Sequence, residues 1–410
     1  MGQFSQILAM RLYAAGAAFL VTLILGRVLG PSEFGAYVFA MGWVSIFMLL
    51  STFGFHRYVI RSLPPLLVRD KRSEAVGVAV FATVVVTVLS LIVTLLVNFR
   101  STLFSDDPML QGVVVVAALL LIPRAWNLLR TGLLQGLGHS IAGQIPERIV
   151  EPTLLLLTLC ACLLMSWSVT AKDVLVLTLV VTLISLAVGA RSLRLALREI
   201  AAKPTFDNAA SWVTGAAKSS LAFAAITVLS ATDVIMLGML STTEETGVYG
   251  VAARFLVLMG LPFHAATVYV SQRAAKMNAL DDMEGLARMA KGTANRGFLS
   301  GLALAIPSTF IALHVETIFG AGFGPAMIPI LILVWGRVFL SVAGLPGPIL
   351  ANTEHVGSVA VSSVITVFVN IGLNAALIPS YGANGAAVAT TLSYTLMTIG
   401  HIAMLHYRLG

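Results

Sequence analysis

Apolar residues fill this chain in blocks of about twenty, and short polar or Gly/Pro joints separate the blocks. The pattern predicts helices over residues 7–29, 33–55, 75–98, 110–135, 147–166, 172–190, 213–239, 245–270, 297–317, 325–350, 357–378 and 383–406. A bilayer core of ~30 Å needs about 20 apolar helical residues per crossing, so each block is long enough to span. Barrel strands would instead alternate over short segments. The chain therefore reads as an all-α membrane protein with twelve transmembrane helices, divided into an N-terminal lobe (1–200) and a C-terminal lobe (201–410) of six helices each.

Composition agrees. The 410 residues are 58% hydrophobic and 10% charged, with mean hydropathy +0.95. A soluble domain carries about 25% charged residues. Residues 7–29 form too long an apolar run, without a basic leader, to be a signal peptide. Cys160 and Cys162 sit two apart inside an apolar block, point to different sides of a helix, and imply neither a disulfide nor a metal site.

The joints carry a charge bias. Sixteen Lys and Arg residues follow even-numbered blocks or end the chain, among them Arg57, Arg61, Lys71, Arg194, Arg198, Arg273 and Arg408. Only Arg27, Arg100 and Lys172 fall on the other side. Basic loops stay in the cytoplasm, so both termini are expected there. The formal charge of +7 is mostly this asymmetry, which favours anionic membrane lipids as neighbours and not nucleic acid. Segments 56–73 and 190–211 mix basic and apolar residues and are expected to lie on the membrane surface, or else to dock a partner protein.

One phrase occurs twice. Residues 25–37 read LGRVLGPSEFGAY and residues 237–249 read LGMLSTTEETGVY, with five identities at an offset of 212. Six blocks separate the copies, so the two halves share one orientation. That is a parallel repeat, with a pseudo-twofold axis along the membrane normal. Each glycine is expected to form a tight corner between helices, and each tyrosine to anchor at the headgroups. Two such lobes in a V around a central cavity would give alternating access.

The first copy and its continuation, LGRVLGPSEFGAYVFAMGWVSIFMLLSTFGFHRYVIR, resemble the opening of bacterial polysaccharide-biosynthesis flippases. So do ATDVIMLGMLSTTEETGVYGVAARF and, from residue 351, ANTEHVGSVAVSSVITVFVNIGLNAALIPSYGANGAAVATTLSY. The family belongs to the superfamily that also holds multidrug extruders and peptidoglycan-precursor flippases. The resemblance implies a translocase of lipid-linked oligosaccharides such as O-antigen, capsule or exopolysaccharide repeat units. It implies a multi-pass protein of the bacterial inner membrane, with other polysaccharide assembly proteins as neighbours.

Ionisable residues inside spans are costly and usually face a cavity. The basic ones are Arg11, Arg124, Arg130, Lys218, Arg254 and Arg337, and the acidic ones are Glu151 and Asp233, a net of +4. Arg11, Arg130 and Lys218 lie near span ends, from which a long side chain can also snorkel to the headgroups. Arg124, Asn127 and Thr131 share one helical face; Thr227, Ser230 and Asp233 share another; Ser362, Thr366 and Asn370 form a third. Such stripes serve either a cavity or hydrogen bonds between helices. A basic cavity suits an anionic cargo, because guanidinium groups hold phosphate oxygens in paired hydrogen bonds. The expected cargo is a polyprenyl-diphosphate-linked glycan. No cofactor is expected, but Asp233 or Glu151 is a candidate to couple H⁺ or Na⁺. An ion pair of Asp233 with Arg254 is the alternative. Pro123, Pro262, Pro307 and the run Leu345 to Pro348 mark hinges or static kinks.

The chain has no GxSxG, Walker A, HExxH or Rossmann motif in a suitable context. Of the rivals, a membrane-embedded polysaccharide polymerase would want a large outer loop, and every outer joint here is short. A multidrug cation antiporter would favour acidic residues in its cavity, against the +4 counted above.

Overall fold

The computed structural model describes residues 3–104, 107–200, 202–280, 282–342, 346–350 and 356–409. They are almost entirely helical, with no strand among the described residues. The helices are α1 (Gln3–Thr52), α2 (Phe55–Val68), α3 (Arg72–Phe99), α4 (Pro108–Ala118), α5 (Leu121–Gly136), α6 (Ser140–Ile145), α7 (Glu151–Leu164) and α8 (Ala171–Glu199). They continue with α9 (Ala209–Leu240), α10 (Thr243–Ala279), α11 (Met283–Leu313), α12 (Val315–Phe319), α13 (Met327–Ser341), α14 (Pro346–Leu350) and α15 (Val356–Leu409). A π-helical turn over Pro146–Val150 joins α6 to α7.

Seven of these helices are long and apolar enough to cross a membrane, or nine if two bent pairs each count as one span, among the described residues. The chain is a multi-pass membrane protein. Two of the seven are far longer than one crossing, and both are broken at a glycine. α1 turns at Gly30 (φ 70°) and α15 at Gly382 (φ 52°), left-handed conformations that glycine adopts without a Cβ penalty.

The chain packs as two compact units, one of Met1–Leu29 with Ala36–Ala231, the other of Gly30–Gly35 with Thr232–Gly410. In the first, the core joins Phe55, Val59 and Leu63 of α2 to Ala75, Val78 and Ala82 of α3, Leu129 and Leu133 of α5, and Trp212 of α9. α2 presses its backbone onto α5 at Gly132 and Gly136, where a Cβ would strike the carbonyl oxygens of His56 and Val59. Gly54, at φ 78°, meets Ala216 and Ser220 of α9 in the same way. Helix α2 is amphipathic: Phe55, Val59 and Leu63 face in, and Arg57 and Arg61 face out. α8 continues to Glu199, so the first part of segment 190–211 is helical and continuous with that helix. α3 exposes a stripe of Val84, Val88, Leu91 and Leu95, the surface a bilayer covers. α8 starts with a capping box in which the amide of Thr170 donates to Asp173 at 2.9 Å.

In the second unit, Phe34, Phe319 and Phe323 pack at their ring edges, with Phe34 and Phe323 centroids 6.0 Å apart. The repeated phrase meets itself here. A Cβ on Gly35 would strike the carbonyl of Thr243, and one on Gly247 would strike the carbonyl of Pro31. The hydroxyls of Ser32 and Thr243 lie 2.9 Å apart beside them. These two glycines are contact points between crossing segments and not corners; the corner of the first copy is Gly30. Glu245, also in the phrase, reaches the break in α15, where the amide of Ala383 donates to its Oε2 at 2.7 Å. The block expected at 325–350 ends earlier, since α13 stops at Ser341 and α14 is separate. Residues 343–345, and with them Leu345, lie outside the described residues. Pro262 and Pro307 sit inside α10 and α11. Pro123 lies in the first turn of α5, next to a 41° bend from α4. Cys160 and Cys162 are both free.

Candidate functional site

Within the second unit α9 carries Asp233, which is 4% exposed. Four neutral side chains converge on its carboxylate. Oδ2 accepts from the Tyr249 hydroxyl on α10 and from the Thr390 hydroxyl on α15, each at 2.5 Å. Oδ1 accepts from the Asn374 amide at 2.7 Å and the Asn370 amide at 3.2 Å, both on α15. The Asn374 amide also donates to Asn370 Oδ1 at 3.1 Å, and the Tyr249 and Thr390 hydroxyls lie 3.3 Å apart. All four donors are neutral; an ion pair with Arg254 was the alternative reading for this carboxylate.

Four donors supply hydrogen bonds but no countercharge. An ionised carboxylate held this way in a membrane interior remains several kcal/mol short of its hydration. A proton or a small cation removes that deficit. The surroundings fit a cation in a second respect: Asn374 Oδ1 is buried and has no hydrogen-bond partner. The Asp233 carboxylate and this Asn374 oxygen are hard oxygen ligands with one formal charge between them, a chemistry that suits a hard monovalent ion once the hydroxyls of Tyr249 and Thr390 turn their lone pairs inward. No group of three or more His, Cys, Asp or Glu side chains placed to hold a metal ion occurs among the described residues.

Within the first unit two ionic networks lie side by side on α5, α7 and α8. Arg124 Nη2 pairs with Glu151 Oε1 at 3.4 Å, the Thr182 hydroxyl donates to the same oxygen at 3.4 Å, and the Asn127 amide donates to the Thr182 carbonyl at 3.3 Å. The second network starts at Arg130, which is 2% exposed. Its Nη2 lies 3.5 Å from the Thr131 hydroxyl, which has the Gly143 carbonyl and Glu147 Oε1 each at 2.9 Å and donates its single proton to one of them at a time. Gly189 on α8 makes room for the guanidinium, since a Cβ there would overlap it. Glu147 and Glu151, four residues apart, each have their own partners.

The remaining sequence candidates are placed as follows. Arg337 on α13 stacks over the ring of Phe263 at 4.6 Å and lies 6.0 Å from that of Tyr394; its Nε is buried and has no hydrogen-bond partner. Arg254 on α10 is half-buried, while Arg11 on α1 and Lys218 on α9 are exposed. Ser230 is exposed and donates back to the Thr227 carbonyl at 2.9 Å, so this part of the α9 stripe serves its own helix. Ser362 donates to the carbonyl of Val359 and meets His401 Nε2 at 2.7 Å, so of the third stripe it is Asn370 that reaches Asp233.

Sequence reasoning missed Tyr249, Asn374 and Thr390 as partners of Asp233. Tyr249, expected at the headgroups, is 2% exposed. A usable signal was the pair Asn370 and Asn374 on one face of an apolar helix.

Residues 3–268 match the family described as polysaccharide biosynthesis protein. The chain is 24% identical over 399 residues to the probable low-salt glycan biosynthesis flippase Agl15 of Haloferax volcanii, covering 95% of this chain and 80% of that protein. Among solved structures, a multidrug resistance MATE family transporter of the MOP superfamily superposes with a TM-score of 0.78 at 14% identity, covering 96% of this chain and 94% of the other. The lipid II flippase MurJ superposes with a TM-score of 0.75 at 11% identity, covering 97% and 87%. These similar proteins are flippases and transporters, not enzymes, and the structural likenesses show a shared fold. The match over residues 3–268 places this chain in the polysaccharide biosynthesis protein family.

Proposed function

We propose that this protein is a flippase for lipid-linked glycans. It moves undecaprenyl-diphosphate-linked oligosaccharide units from the cytoplasmic to the periplasmic leaflet of a bacterial inner membrane, by alternating access, for surface polysaccharide synthesis. The observation that carries this reading is the likeness to a glycan biosynthesis flippase over 95% of the chain. Twelve crossings follow when α1 is divided at Gly30, α15 at Gly382, and residues 147–166 are added to the spans. The basic excess among in-span residues suits a diphosphate, with Arg337 and Arg254 as the guanidinium donors. Arg124, held by Glu151, contributes less free charge.

Asp233 couples transport to a proton or Na⁺. Binding neutralises the one carboxylate of the cage, and release restores it, so the hydrogen bonds from Tyr249, Asn370, Asn374 and Thr390 tighten or relax with occupancy. These residues come from α9, α10 and α15, so occupancy biases how those helices pack.

Deleting the gene in its host tests the reading. The surface glycan disappears and its lipid-linked precursor accumulates with the sugar on the cytoplasmic side. An unchanged surface glycan together with lost resistance to cationic drugs would favour the multidrug reading.

A further inference from the structure

The first unit has a second feature that the Asp233 cage and the proposed cargo leave unexplained. A groove of about 690 Å³ runs between α3, α5 and α8. Its walls are Leu129 and Leu133 of α5 and Leu183, Leu186, Ala187 and Ala190 of α8. The α8 residues repeat at three- and four-residue steps, so they form one continuous helical face. The same face ends in Arg194 and Arg198, one turn apart and both exposed. Arg130 lies in the groove wall, 2% exposed, with Nε and Nη1 buried and without hydrogen-bond partners. Trp126 closes the side toward α3, its indole N–H donating to Thr87 at 3.0 Å.

An apolar trough with cations gathered at one end has the polarity of a membrane lipid: acyl chain along the leucines, phosphate among the arginines. Among the described residues neither Arg194 nor Arg198 is within ion-pair distance of an acid: Glu147 lies against Thr131, and Glu199 lies 3.4 Å from His139. We propose that this groove binds one anionic phospholipid of the surrounding bilayer, its phosphate held by Arg194 and Arg198 and one chain lying along Leu183, Leu186 and Ala187. Binding is a property of the folded chain and does not depend on which cargo is moved.

The test uses full-length protein, delipidated in detergent and titrated with phosphatidylglycerol, phosphatidylcholine or undecaprenyl phosphate, with bound lipid read by native mass spectrometry. Wild type is expected to retain one phosphatidylglycerol per chain and little phosphatidylcholine. Arg194→Gln with Arg198→Gln is expected to lower retention about tenfold or more, at roughly 1 kcal/mol per basic residue near a lipid phosphate. Both side chains are exposed, so this variant folds; Ala190→Trp fills the trough and is expected to have the same effect by a different route. Lys71→Gln with Arg72→Gln, on another basic segment, leaves retention unchanged. Equal retention of phosphatidylcholine, unchanged retention in both groove variants, or preferential capture of undecaprenyl phosphate would each overturn the assignment.

Discussion

Asp233→Asn separates the charge of the cage from its shape. The asparagine keeps the volume and one acceptor oxygen. That oxygen can face the amides of Asn370 and Asn374, while the new NH₂ faces Tyr249 and Thr390, whose hydroxyls can turn to accept. Four hydrogen bonds to a charged acceptor, each worth about 1.5–3 kcal/mol, become neutral ones of ~1 kcal/mol. Against that loss stands the several kcal/mol of desolvation that the buried charge no longer costs. The two changes oppose each other, so the variant should fold with a stability within about 2 kcal/mol of wild type. Asp233→Ala differs. The hydroxyls of Tyr249 and Thr390 can pair with each other, and the Asn374 amide keeps its bond to Asn370, but the remaining donors face a void. Each neutral donor left unpaired should cost about 1–3 kcal/mol. The assay is thermal unfolding in detergent across Na⁺ at fixed K⁺, and across pH. A ligand at a hundred times its Kd stabilises by about 2.7 kcal/mol. Wild type should show such a rise with Na⁺ or with protons, and the Asn variant should show neither and should not support glycan export. An Asn variant that keeps both the cation-dependent rise and full export would refute the coupling role.

Other perturbations follow from single contacts. Gly35→Ala and Gly247→Ala each press a methyl into a backbone carbonyl, and each should lower stability by about 1–3 kcal/mol in thermal unfolding, while Ser32→Ala beside them should cost under ~1 kcal/mol. A double-mutant cycle on Arg124→Gln and Glu151→Gln should return a coupling of about 1 kcal/mol or more, because both side chains are largely buried; a coupling of zero would mean that their 3.4 Å approach contributes nothing. His56, in the amphipathic helix α2 outside the crossings, has its pKa pushed down to about 4, first by burial and then by the charge of Arg57. The unfolded chain therefore binds the proton more readily, so this residue's contribution is complete above about pH 6.5 and is lost as the pH falls toward 4; His56→Gln should flatten that slope in pH-dependent melting.

The class of the fold was legible because a membrane interior imposes one simple rule, that long apolar helices satisfy their own backbone. The repeated phrase was legible as well, but what its glycines do was not. Gly35 and Gly247 look like corner residues in the sequence, and only the packing reveals that each is a point where a helix meets a carbonyl. Asp233 stood out because a carboxylate in an apolar block is rare. Its partners did not, since they lie between 16 and 157 residues away and each is an ordinary neutral side chain. The polar stripes misled in part for a local reason: Ser and Thr in apolar helices readily bond carbonyls three or four residues back, as Ser219, Ser230 and Ser362 do here. The pairing of Arg124 with Glu151 was likewise hidden, because α6 and a π-helical turn that no periodicity announces lie between α5 and α7.

The most direct measurement reconstitutes the purified protein in vesicles carrying an undecaprenyl-diphosphate oligosaccharide and follows access of a membrane-impermeant sugar oxidant to the inner-leaflet pool. With wild-type protein the protected fraction should fall with time, and with Asp233→Asn it should stay near the level of protein-free vesicles. Continued protection of the inner pool with folded wild-type protein, under imposed Na⁺ and proton gradients alike, would contradict the assignment as a glycolipid flippase.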